Sequence, residues 1–397
     1  MPRSIDALLR RLLSGIEREL PRAVELRHRL HAHPELAHAE QWTAAVVAQE
    51  LPVESIPVAG TGRMAHIGPR LGGAVAVRAE LDGLPIKERT DAPYKAAGGV
   101  MHACGHDVHM AALIALARAA HELGDSLPRP LLAIFQPSEE AYPSGAQELA
   151  GDELRTLAPA AVVAAHVHPG LPWGTVALDP GTVNASCDNI EITVEGEASH
   201  GAYPHLGHDP VLAIAHIVVG LHSQIARRVD PQDPAVLTIG VLEGGNAENV
   251  IPMEARARGS LRAHRPRDRA VLRRMVEEIV SGIASAHGCR ATVTLTTGEP
   301  ALENDPVIVA RARELLSSAH LKPAPEWRSC GSDDFAFFGE LAPLAMGFVG
   351  LEGAEGFTAR PLHHPELLPP DAAVAAVARV QAILYAAAAS TLTQPQP

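Results

Sequence analysis

The sequence predicts an α/β protein interrupted by a small α+β domain. Short apolar runs at 72–79, 130–136 and 160–165 alternate with segments of helical periodicity, as in a sheet covered by helices on both faces. Near residue 183 the pattern changes, and residues 189–195 alternate polar and apolar side chains like a half-exposed strand. A helix at 209–228, strands near 236–242 and 254–262, a helix at 267–287 and a strand at 290–296 complete a β-α-β-β-α-β order. That order is the split βαβ arrangement. After about residue 298 the α/β alternation returns. The expected organisation is a larger domain in two parts, 1–182 and 298–397, with an inserted domain at 183–297.

The individual elements follow from local signals. Residues 3–30 carry apolar side chains at helical spacing, with charges breaking every short apolar run. No signal-peptide core is expected there, and no run reaches the roughly 18 apolar residues of a membrane span. The expectation is a cytoplasmic protein without a membrane partner. Residues 107–123 form a second helix with Asp107 as a candidate N-cap. The last residues, T-L-T-Q-P-Q-P, read as a disordered tail.

Composition narrows the function. The 397 residues are 47% hydrophobic and 20% charged, enough for a packed core. The net charge is −13 and the aromatic content 3%, so neither a basic surface nor a base-stacking surface for nucleic acid is expected. Histidine is abundant, with 21 residues against three lysines. It is the commonest metal ligand and proton carrier near neutral pH. Four widely spaced cysteines form no C-x-x-C pair, which favours thiols or ligands over a disulfide framework.

The densest cluster is H-A-C-G-H-D-V-H at 102–109. Cys104 and His106 flank a glycine just before a helix, where the helix N-terminus or a metal lowers a thiol pKa. Gly105 lets the backbone turn so that both side chains face one ion. F-Q-P-S-E-E at 135–140 places Glu139 and Glu140 at a strand end, where α/β proteins place active sites. One glutamate can bind metal while its neighbour faces the substrate. A-H-V-H-P at 165–169 ends another expected strand, and P-L-H-H-P at 361–365 sets His363 in a proline-bounded loop. Asp82, past the 72–79 strand, is suited to orient a metal-bound histidine. Cys104, His106, Glu140, His166 and His363 exceed the needs of one tetrahedral structural zinc. They suit a two-metal site with open positions, with the Cys104 thiolate as candidate bridge.

These motifs resemble the dinuclear metallopeptidase family of aminoacylase and carboxypeptidase type, metallopeptidase family twenty. Within it they are similar to the amidohydrolase branch of hippurate hydrolase, N-acyl-amino-acid amidohydrolase and auxin-conjugate (indole-acetyl-amino-acid) hydrolase. The matching segments are G-V-M-H-A-C-G-H-D at 99–107, F-Q-P-S-E-E at 135–140 and H-V-H-P-G-L-P-W-G at 166–174. Others are G-E-A-S-H-G-A-Y-P-H at 196–205, N-V-I-P at 249–252, G-S-L-R at 259–262 and L-H-A-H-P-E-L at 30–36. The resemblance implies a zinc-peptidase-like catalytic domain, a mixed sheet flanked by helices, with a ferredoxin-like lid and dimerisation domain. It implies metal ligation by Cys104, His106, Glu140, His166 and His363, with Glu139 as general base toward a water activated by two metals. His200 would stabilise the oxyanion, reaching in from a partner subunit, while Asn249 and Arg262 would bind the substrate carboxylate. A homodimer through the inserted domain, or a higher oligomer, is likewise implied.

Some positions depart from the branch. Glu80 stands where Asp is usual, and its extra methylene would shift the strand end that carries Asp82. Gly83 replaces the usual Ala, and Asp333 the usual Glu. The loop after Glu140 reads A-Y-P-S-G instead of glycine-rich, which makes Tyr142 a candidate wall of the substrate pocket. The expected function is metal-dependent hydrolysis of N-acyl or N-aroyl amino acids with two divalent ions, Zn, Mn, Co or Ni. A dipeptidase or an N-acetyl-amine deacetylase of the same family is the alternative. A non-catalytic protein that binds through the metal cleft is the alternative of another class.

Overall fold

The computed structural model describes residues 5–70, 73–151 and 153–391. The expected first residues of the opening helix (3–4), the expected strand start at 72 and residues 392–397 of the expected tail lie outside the described residues, while Thr391, expected in that tail, closes the helix Ala372–Thr391. The chain forms two compact units. The first is built from the described residues of Met1–Gly181, Glu303–Trp327 and Phe337–Pro397, the second from Thr182–Leu302 and Arg328–Ala336.

The first unit is organised by an eight-stranded mixed sheet. Its order is Ile56–Val58, Gly62–Ile67, Leu131–Gln136, Val75–Glu80, Ala161–Pro172, Leu344–Glu352, Thr175–Ala177 and Lys322–Pro323. The middle four strands are parallel. Gly62–Ile67 and Thr175–Ala177 run antiparallel to their inner neighbours. Val75–Glu80 and Leu131–Gln136 are buried along their whole length. Burial on both faces is why they read as continuous apolar runs instead of alternating ones. Val75, Val77, Ala133, Phe135 and Val163 pack into one core with helices Ile5–Ala32, His106–Leu123 and Ala372–Thr391. The parallel strands end at one edge, and the motifs at 82, 104–106 and 139–140 follow strand ends or open a helix there.

Two expectations are corrected by these helices. Asp107 is not the N-cap of His106–Leu123: Gly105 takes that position in the left-handed region, at φ 87°. The Asp107 carboxylate is instead turned to Arg27 and His31. Ala372–Thr391 is, by length and composition, apolar enough to cross a membrane, as is Pro210–Arg228. Arg379 and Gln381 interrupt the first run without making it polar overall, and most of it lies buried in the core. The 160–165 strand also runs on through Pro172, so His166 lies inside it.

The second unit has a four-stranded antiparallel sheet in the order Ala235–Gly244, Glu254–Ala263, Ser186–Glu195, Arg290–Thr297. Numbered in chain order this is 2-3-1-4, the ferredoxin-like arrangement of a β-α-β-β-α-β chain. Ile190, Ile192 and Val194 face helices Pro210–Arg228 and Pro266–Ala286. The Asp209 side chain caps the first helix, accepting from Val211 N at 2.9 Å and Leu212 N at 3.1 Å. Residues 298–302 and 328–336, expected in the flanking domain, group with this unit instead. Backbone bonds explain the second group: Ser329 N donates to Val183 O at 2.9 Å and Ala185 N to Ser329 O at 3.1 Å.

Candidate metal centre

The first unit gathers the expected ligands at the sheet edge. Strand Val75–Glu80 delivers Asp82 two residues past its end, and the ladder continues as Leu81 N donates to Gln136 O at 2.8 Å. The expected shift from Glu80 is therefore not seen in the pairing at this strand end. After Leu131–Gln136 the chain turns at Pro137. Ser138 adopts φ 53°, and its N–H donates to Glu40 Oε1 at 2.8 Å. This turn presents Glu139 and Glu140 in succession. A Cβ at Gly145 would lie 1.9 Å from Pro137 O, so glycine is required where the chain passes back.

The Cys104–His106 turn is equally constrained. A Cβ on Gly105 would lie 2.5 Å from Val167 Cγ2, on the strand that carries His166. Cys104 Sγ is 3.5 Å from His166 Nε2. His106 Nδ1 donates to the backbone carbonyl of Asp82 at 2.8 Å, which leaves Nε2 available to a metal. His166 Nδ1 donates to Val167 O at 2.6 Å, again leaving Nε2. Asp82 thus orients His106 through its carbonyl. Its carboxylate stands 3.6 Å from His106 Nδ1 and accepts from Glu140 N at 2.8 Å, holding the glutamate turn. His363, at φ 65°, is clipped to the ligand turn by His363 N donating to Ala103 O at 2.8 Å. Its Nε2 lies 3.3 Å from Glu140 Oε1. Glu139 Oε2 lies 3.9 Å from His106 Nε2.

The donor atoms fit divalent ions. One atom each from Cys104, His106 and Glu140 lies within 4.8 Å of the others. His106 Nε2 and Glu140 Oε1 are buried and make no hydrogen bond among the described residues. Buried polar atoms of that kind require a partner. Thiolate, imidazole and carboxylate together suit Zn, Mn, Co or Ni. Electrostatics point the same way. Burial opposes the His106 imidazolium, yet Glu80, Asp82 and Glu140 raise its pKa to about 10. That concentration of negative charge would equally favour a cation. Burial, with His109 and His106 nearby, holds His166 well below its usual range, in the neutral form that ligates.

A second cluster, Glu80, His106, His109 and His166, also brings its donors within 4.8 Å. Two of its members are already engaged. His109 Nε2 accepts from Val167 N at 3.0 Å, so Nδ1 carries the proton and donates to Glu80 Oε2 at 2.8 Å. Glu80 also pairs with Arg78. Burial would raise the Glu80 carboxyl, but Arg78, His109 and His106 hold it well below the usual carboxylate range. Sequence reasoning did not pick out Glu40 and Ser138, which bond to each other across 98 residues, or Arg78, which joins its neighbour Glu80 to the distant Gln136. Buried His102 makes no side-chain hydrogen bond among the described residues, and burial lowers its pKa to about 4.

The remaining expected residues are described within their own units. Tyr142 is 50% exposed on the first unit, two residues beyond Glu140. On the second unit, His200 is exposed on strand Ser199–His200, which pairs with Val250–Ile251. Its Nδ1 accepts from Ala202 N at 3.0 Å. Asn249 is exposed, and its carbonyl accepts from Gly201 N at 2.7 Å. Arg262 donates to Cys330 O at 3.1 Å and Ser332 Oγ at 3.4 Å. Among the described residues no cysteine forms a disulfide.

Known proteins share this framework. Residues 76–386 match the profile of the Peptidase family M20/M25/M40. An N-acetyl-L-cysteine deacetylase of Bacillus subtilis (strain 168) is 34% identical over 362 residues, covering 89% of this chain and 84% of the relative. An N-acetyldiaminopimelate deacetylase of Bacillus pumilus (strain SAFR-032) is 33% identical over 371 residues, covering 91% and 96%. Among solved structures, a Bacillus subtilis dinuclear metal-binding peptidase of the M20 family superposes with TM-score 0.82 at 28% identity, covering 94% of this chain and 99% of that one.

Two expectations follow from this geometry. Gly105→Ala places a Cβ against Val167 in a left-handed backbone, a strain of about 1–2 kcal/mol before the clash. Thermal unfolding should show lower stability and elemental analysis lower metal occupancy; wild-type values for both would refute the packing described. His31 provides the pH test. Burial opposes its charge, but Asp107 and Glu88 raise its pKa from 6.5 to about 9. Its contribution to stability is therefore complete below about pH 6.5 and lost as pH rises through about 9. Wild-type stability should decline across that window more steeply than that of His31→Gln; parallel curves would contradict the charged assignment.

Proposed function

Because the chain belongs to the Peptidase family M20/M25/M40, we propose that it hydrolyses the amide bond of N-acyl amino acids with two divalent ions as cofactor. The observation that carries this reading is the placement of Glu139 beside the donor set, 3.9 Å from the His106 imidazole and adjacent in sequence to Glu140. Cys104, His106, Glu140, His166 and His363 hold the ions. Bound there, a pair of such ions polarises a carbonyl and lowers the pKa of water from 15.7 toward about 7.

The protein's own residues supply the remaining steps. Glu139 takes a proton from the attacking water and returns it to the departing amine, so that water and amide become carboxylate and free amine. General acid–base transfer of this kind contributes roughly 10²–10⁴-fold. Asp82 acts indirectly, its carbonyl fixing the His106 tautomer and its carboxylate the Glu140 backbone. The family resemblance assigns His200 to the developing oxyanion, Asn249 and Arg262 to the substrate carboxylate, Tyr142 to the acyl pocket, and a homodimer to the second unit. The names of the two relatives, both deacetylases of N-acetylated amino acids, favour acetyl among the acyl groups.

Glu139→Gln should lower turnover by about 10²-fold or more while leaving metal content unchanged. Steady-state kinetics paired with elemental analysis reads both. Near-wild-type turnover would remove Glu139 from the base role. Release of free amino acid from acetyl-, benzoyl- and indoleacetyl-amino acids identifies the acyl group; cleavage of dipeptides alone would overturn the substrate class.

A further inference from the structure

Arg27 lies on helix Ile5–Ala32, is fully buried, and contributes nothing to the donor set. Its guanidinium reaches three acceptors. Nε donates to Asp107 Oδ2 at 3.0 Å, Nη1 to Asp371 Oδ1 at 2.6 Å, and Nη2 to the carbonyl of Pro369 at 2.6 Å. Asp107 directly follows the ligand His106. Pro369 and Asp371 lie just beyond the loop that carries the ligand His363. One planar fork therefore ties together two ligand-bearing segments that are far apart in the chain.

The surrounding contacts extend the tie. His31, four residues on, meets Asp107 Oδ2 with Nδ1 at 3.0 Å and Glu88 Oε1 with Nε2 at 3.1 Å. Glu88 also accepts from Ala96 N at 2.7 Å, inside the segment that joins Asp82 to the Cys104 turn. Next to it, Arg89 N donates to Pro365 O at 2.8 Å, again on the His363 loop.

We propose that Arg27 is a positioning residue for the metal centre, whose guanidinium fixes the Cys104–His106 turn relative to the His363 loop and so sets the spacing of the two ion sites. The inference rests on the two-metal reading of those ligands but not on which amide is cleaved. Lysine keeps the charge but has no planar fork to serve three acceptors at once. Residues that orient ligands typically change metal affinity by about 10–100-fold when replaced.

The test uses the full chain loaded with Mn²⁺ and reads ion binding, not turnover. Chelator competition gives the affinity of each equivalent, and electron paramagnetic resonance reports exchange coupling between paired Mn²⁺ ions. Arg118→Lys is the comparison, because Arg118 donates to Glu50 O at 2.7 Å and Glu19 Oε2 at 3.1 Å, away from both ligand segments. Arg27→Lys should bind at least one equivalent about 10–100-fold more weakly and show an altered coupled signal. Arg118→Lys should keep both. Wild-type affinities and signal in Arg27→Lys would overturn the proposal, as would an equal loss in Arg118→Lys. If Arg27→Lys does not fold, Asp371→Asn, which weakens the Arg27 Nη1 contact and lies outside the donor set, is read by the same criteria. A wild type that binds fewer than two ions would instead overturn the two-metal reading itself.

Discussion

Buried negative charge at one edge of a parallel sheet is the constraint on which the rest of this structure depends. Glu80, Asp82, Glu88 and Asp107 are all buried within the segment that runs from the end of one strand into the next helix. Anions cannot remain there without compensation, because desolvation costs several kcal/mol per ion. The chain compensates some of them internally. Arg78 and His109 serve Glu80, while Arg27 and His31 serve Asp107. His31 also serves Glu88. What remains is the group formed by Cys104, His106 and Glu140, in which His106 Nε2 and Glu140 Oε1 are buried and make no hydrogen bond among the described residues. A divalent cation would complete the arrangement.

This division explains which histidines matter. His109 is as buried as His106 and close to the same carboxylate, yet both its nitrogens are used within the protein. His106 and His166 each spend one nitrogen on a backbone carbonyl and keep the other for the centre. Hydrogen bonding, not residue type, separates a nitrogen left available to a metal from one already engaged. The abundance of histidine was therefore a coarse guide. His216 and His287, for example, pair with each other at 2.9 Å within the second unit.

Much of the fold was legible because its signals are local. The buried strands announced themselves as apolar runs, the second unit's strand Ser186–Glu195 by alternation, and the helices by periodicity. The ligand turn was legible because four ligand-type side chains fall within eight residues. Other features were hidden for physical reasons. Asp107 looks like an N-cap, but long-range partners claim its carboxylate. Asp82 looks like a carboxylate that orients a histidine, but its carbonyl makes that bond. Arg27 gave no signal at all, since its acceptors lie 80 to 344 residues away.

The central claim is that Cys104, His106, Glu140, His166 and His363, and not Glu80 or His109, hold two divalent ions at this sheet edge. A crystal structure of the Mn²⁺-loaded protein, with anomalous difference maps recorded near the manganese edge, tests it most directly. The account predicts two peaks ligated by side chains of this set. A single peak, or peaks ligated by Glu80 and His109, would contradict it.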